Sequence, residues 1–71
     1  MIIADVLAQA FNRKTGQVAG NARIEEINTR KNVLFNQCHD LMDIKECYEA
    51  YWNQLNPNSE EVVFVQQITL K

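Results

Sequence analysis

The stretch "FNRKTGQVAG", residues 11–20, decides the fold, because its KTG and its two glycines read as a phosphate cradle, a fragment of an active site, or a turn. Asn12 is well suited to open a tight turn, since its side-chain oxygen can accept from backbone amides just ahead of it. Gly16 supplies the positive φ that closes a type I turn with a bulge. Read this way, "NRKTG" is the tip of a β-hairpin over residues 2–28, and "IIADVLAQAF" and "QVAGNARIEEIN" are its two strands. The phosphate-loop reading fails, because G-x-x-x-x-G-K-[ST] places its lysine after the glycines and a helix after that, whereas here Lys14 precedes both. The KTG of serine β-lactamases works beside a nucleophilic serine in S-x-x-K, and the only serine of this chain is Ser59 in "NSEE".

Beyond the hairpin, Gly20 marks a bulge or a close approach of the helix, and Val18, Ala22 and Ile24 share its face of the second strand. "NTRKN" is a polar connection, and "VLFNQC", residues 33–38, is expected to be a short third strand. "DLMDIKECYEAYWNQL", residues 40–55, places Leu41, Ile44, Cys47, Tyr48, Tyr51 and Leu55 on one stripe at helical spacing, with Asp40 as the cap and Asp43 in the first turn. Pro57 follows its end. "EVVFVQQITL", within residues 61–70, is rich in β-branched residues and forms the final strand. Strict alternation sets Val62, Phe64, Ile68 and Leu70 against the helix, and Val63, Val65 and Thr69 on the face away from it. The expected fold is α+β, one domain over residues 1–71: a four-stranded sheet in β-β-β-α-β order with one amphipathic helix on one face. The alternative is a mostly helical fold, drawn through Ile24, Ile27, Leu34, Cys38 and Leu41.

Composition narrows the function. The chain has 71 residues, 46% of them hydrophobic and 23% charged, with a net charge of -2. A chain this short buries only about 60% of its unfolded surface, so a partner subunit would add to its stability. No apolar run is long enough for a membrane span, and "MIIADVLAQA" lacks the basic and small-residue signals of a secretory leader, so the expected location is the cytoplasm. Cys38 and Cys47 are then expected to be free thiols. Together with His39, Asp40 and Asp43 they resemble a metal set, but C-H-x7-C offers too few converging ligands for zinc. No cofactor and no metal are expected, and catalysis by a Cys–His pair is disfavoured because neighbours on a strand point to opposite faces.

Basic residues Arg13, Lys14, Arg23, Arg30 and Lys31 crowd the first half of the chain and acidic residues the second. Such asymmetry can orient a chain against a partner or a second copy. Nucleic-acid binding through those five residues is the alternative function; it lacks interleaved aromatic side chains and a positive total charge. The remaining signal is aromatic. Trp52 sits at the margin of the helical stripe beside Tyr48 and Tyr51, where a large ring is only partly covered, and Trp and Tyr dominate binding hot spots. The expected function is a small non-enzymatic protein-interaction module, an adaptor or inhibitor of another protein, forming a homodimer, with Trp52, Tyr48, Val63 and Val65 as partner-binding residues. Its size and its 14 Asn and Gln residues suit an accessory protein of a phage or mobile element.

Overall fold

A computed structural model describes residues 2–55 and 57–71. The opening stretch is a hairpin. β1 (Ile3–Asn12) and β2 (Val18–Asn28) pair antiparallel, and the Asn12 side-chain oxygen accepts from the amides of Lys14 and Thr15 at 2.9 and 3.0 Å. The Gly16 amide donates to the Asn12 carbonyl at 2.8 Å, with the glycine at φ 74°. Turn chemistry therefore settles the competition between helix and strand periodicity in the first segment, and the mostly helical alternative is not the fold.

Among the described residues the sheet has three strands, not four, in the order β2-β1-β3, with β3 (Glu61–Leu70) antiparallel to β1. The expected strand over 33–38 is instead a short 3-10 helix at Val33–Phe35. Its cause is local: Asn28 Oδ1 accepts from the Arg30 amide and Asn32 Oδ1 from the Leu34 amide, each at 3.0 Å, so these side chains curl the backbone that a strand would extend. The curl drops Phe35 into the core.

α1 (Leu41–Leu55) begins where the capping signals put it. Asp40 Oδ1 accepts from the Asp43 amide at 2.8 Å, and Asp43 Oδ2 accepts from the His39 amide at 2.9 Å, a reciprocal cap of the first turn. The helix buries Ile44 and Tyr48 against Val6 and Ala8 of β1, Ile27 of β2 and Val65 of β3. Its buried stripe runs as expected through Leu41, Ile44, Cys47 and Tyr48 and departs only at its C-terminal end, where Trp52 packs on the core while Tyr51 and Leu55 are exposed. Val18 and Ile24 do share one face of β2, but it is the face away from the helix, and the hydrophobic residue that β2 commits to the core is Ile27.

β3 also reverses an expectation. Register with β1 shifts between Val65 and Gln67, so Gln66 is an extra residue that flips the alternation. Val63, Val65 and Ile68 pack on the core, and Val62 and Phe64 face away from the helix. Being an edge strand, β3 turns the amides of Val63 and Val65 outward, and α1 receives them. Asn53 accepts from the Val63 amide at 2.9 Å and donates to its carbonyl at 3.2 Å; Glu49, one helical turn away, accepts from the Val65 amide at 2.8 Å. Glu49 is held in turn by Lys45 at 3.0 Å. Two helical side chains thus occupy the place of a fourth strand.

Two outcomes follow from this geometry. A Cβ at Gly16 meets nothing within 4 Å, so Gly16→Val carries only the backbone penalty of a positive φ and lowers stability by at least about 1 kcal/mol in urea denaturation. Asn53→Ala strips both outward groups of Val63 of their partner and lowers stability by about 1–2 kcal/mol; a neutral result would show that the edge bonds contribute nothing net.

Candidate functional site

The aromatic signal resolves into a ladder of rings running from the core to the surface. Phe35 and Tyr48 have centroids 6.4 Å apart, Tyr48 and Trp52 6.3 Å, and Tyr51 meets Trp52 edge-on at 5.8 Å. At the outer end the Arg23 guanidinium lies 4.7 Å from the centroid of the Trp52 ring. β2 places it there through a bulge. Ala10 pairs with Ala19 and Ala8 with Arg23, so Gly20, Asn21 and Ala22 stand opposite Gln9 alone, with Gly20 at φ 74°. The Gln9 side-chain amide closes the gap by donating to the carbonyls of Ala19 and Gly20 at 3.3 and 3.1 Å.

Bulge, helix end and ladder enclose a cleft of about 490 Å³. Its floor is Ala8, Ala10 and Ala19, small side chains that leave the sheet surface low, and Arg23 and Trp52 flank it. Asn53, already bonded to the β3 edge, lines it as well. Arg23 is exposed and, among the described residues, pairs with no carboxylate, so the cation is ordered by the indole face while its hydrogen-bonding edge is unspent on ion pairs.

Beneath the cleft wall, the Tyr48 hydroxyl is buried with no hydrogen-bond partner among the described residues. Burial, ahead of the nearby Glu25 carboxylate, pushes this phenol above its ordinary range, against the opposing pull of the Trp52 indole and the Arg23 guanidinium. Of the four expected partner-binding residues, Trp52 is half-buried at the cleft, Val63 lines it while packing on the core, and Tyr48 and Val65 lie in the core at 1% and 8% exposure. Alternation puts Arg23 on the face opposite Val18 and Ile24, and the bulge, which adds two residues, keeps that phase; no sequence signal showed that the helix, and Trp52 with it, packs on Arg23's face.

The five basic residues do not converge. Arg13 and Lys14 sit at the hairpin tip, Arg30 and Lys31 beyond the far end of the eleven-residue β2, and Arg23 between them on the helix side. The opposed charges of the two halves of the sequence are also brought together by folding. Glu60 and Glu61 come beside the hairpin tip, through Asn12 paired with Glu61 and the Arg13 amide bonded to the Glu60 carbonyl. At the other end Lys71 Nζ lies 2.6 Å from Glu26 and 3.6 Å from Asp5. That hydrogen bond and charge hold the Glu26 carboxyl below its ordinary range and raise Lys71.

Cys38 and Cys47 are free thiols, and burial, followed by the proximity of Cys47, pushes the Cys38 thiol up, away from the reactive thiolate. Among the described residues no three metal-ligating side chains gather, and no helix is long and apolar enough to cross a membrane.

The orphaned hydroxyl gives a direct check on the ladder. Tyr48→Phe removes a buried group that has no partner to lose, so stability stays level or rises, by thermal or urea unfolding; a loss of more than about 1 kcal/mol would mean that the hydroxyl is bonded. No protein-family model matches the chain, and comparison with curated proteins and with solved structures finds no significant match.

Proposed function

We propose that this chain is a non-enzymatic protein-interaction module, an adaptor or inhibitor whose contact with its partner is centred on Trp52 and Arg23. The observation that carries this reading is the Arg23 guanidinium held 4.7 Å above the Trp52 ring at the side of the cleft. Trp and Arg are the residue types most enriched among binding hot spots, and much of the cost of binding is the ordering of such side chains. Here the ladder orders the indole from below and the indole orders the guanidinium. The alanine floor admits a protruding side chain from the partner without displacing anything. The free thiols suit a reducing compartment, the cytoplasm. The weakly nucleophilic Cys38 and the exposed His39 support a binding role over a catalytic one.

The test is capture on the immobilised chain, identification of the bound protein, and calorimetric titration of that protein against variants. Arg23→Glu and Trp52→Ala each weaken binding at least about 10-fold, within the range of hot-spot truncations, while Val33→Ala, a change at an exposed position outside the cleft, leaves it unchanged. Binding indifferent to both cleft variants would overturn the reading. Retention on DNA that falls steeply with added salt would replace it with the nucleic-acid alternative through Arg13, Lys14, Arg23, Arg30 and Lys31.

A further inference from the structure

Among the described residues, no element covers the face of the sheet opposite α1. It carries Leu7 and Phe11 from β1, Val18 and Ile24 from β2, and Val62 and Phe64 from β3. Ile24 is 71% exposed and Phe64 45%, which are high values for side chains of this size in the middle of strands, and Val18, at the start of β2, is 63% exposed. Phe11 and Phe64 meet edge to face at 5.9 Å and, with Val62 and Gly16, border a shallow apolar hollow of about 560 Å³. A soluble domain rarely leaves a contiguous apolar surface of this kind facing water.

We propose that a second copy of this chain covers this face, sheet against sheet, to give a two-fold dimer with layers in the order helix, sheet, sheet, helix. The proposal goes beyond the interaction reading above, because it uses the face opposite the Trp52 cleft and leaves both clefts of the dimer outward.

Three properties of the face select a second copy. The first is size. The molecule measures 37 × 20 × 16 Å, and a face bounded by its two longer dimensions is close to the roughly 800 Å² that each partner commits to a standard stable interface. The second is charge. None of the six central residues is charged, and at each end the charges balance, Arg13 and Lys14 beside Glu60 and Glu61, and Lys71, with Lys31 near enough to act on Glu26, beside Asp5 and Glu26. Identical faces therefore meet without like-charge repulsion. The third is shape. Two sheets of the same right-handed twist pack face to face about 10 Å apart with their strands within about 30°, and a second copy brings the same twist. The rival route to a dimer, pairing along the β3 edge at Val63–Val65, is taken up by Asn53 and Glu49.

The test is sedimentation equilibrium of the full chain. Wild type is mostly dimeric at about 50 µM, and Ile24→Lys combined with Phe64→Lys weakens association at least about 100-fold while the far-ultraviolet circular dichroism stays native. If that pair of changes unfolds the chain, Val18→Lys alone, at a position already 63% exposed, serves in its place and weakens association at least about 10-fold. Arg23→Glu leaves the dimer intact, which separates this interface from the cleft. A wild type that stays monomeric at about 100 µM would overturn the proposal, and so would a folded face variant that remains dimeric or a dimer lost on Arg23→Glu.

Discussion

The backbone of β3 has two edges and only one neighbouring strand. Its inner edge pairs with β1, and the outward amides of Val63 and Val65 and the carbonyl of Val63 would otherwise be left to solvent beside a hydrophobic core. Groups in that position need partners. α1 supplies them from Glu49 and Asn53, and in doing so it is drawn to the β3 side of the sheet. Much else depends on this placement. The hairpin-side floor at Ala10 and Ala19 is left uncovered beside Trp52, which is how the cleft arises. The whole opposite face of the sheet is left bare, because the single helix is already committed.

The cleft inherits its rigidity from the core. Phe35, Tyr48 and Trp52 form a continuous stack, and Tyr48, at 1% exposure, anchors its middle. Keeping that ring in place leaves its buried hydroxyl without a hydrogen-bond partner, an arrangement that costs stability and fixes the indole on which Arg23 rests. Under the proposed function, packing and recognition share the same residues: a change that loosens Tyr48 also moves the platform under Arg23.

How much of this was legible in the sequence depends on how local the cause was. The hairpin tip was legible because Asn12 and Gly16 determine a turn almost by themselves. So was α1, where Asp40 caps a run of helical periodicity. "VLFNQC" was not, because a short apolar run fits either geometry, and the side chains of Asn28 and Asn32 decide it through hydrogen bonds that no periodicity reports. The facing of β3 was misread because one extra residue, Gln66, exchanges the two faces, and nothing in "FVQQI" announces a bulge. Glu49 and Asn53 carry no signal of their own in the sequence; only the neighbouring strand edge gives them their role. The Trp52 site was half legible, since its ring size and marginal position were visible, while nothing in the sequence showed that the helix packs on the face of β2 that carries Arg23. The opposed charges of the two halves lost their meaning once the strands brought them side by side.

Capping by a helix differs from pairing with a strand in how it fails. A strand pair zips through many bonds, whereas here two side chains on one helical turn guard the segment "VVFV", so a brief lifting of the helix end bares both the edge and its β-branched side chains at once. Such short, uncharged, β-prone segments are the ones that nucleate aggregation when their edge is free. The tendency of this protein to aggregate should therefore follow the free energy of local helix detachment rather than that of global unfolding, and hydrogen exchange at the Val63 and Val65 amides would report the population of the hazardous state directly.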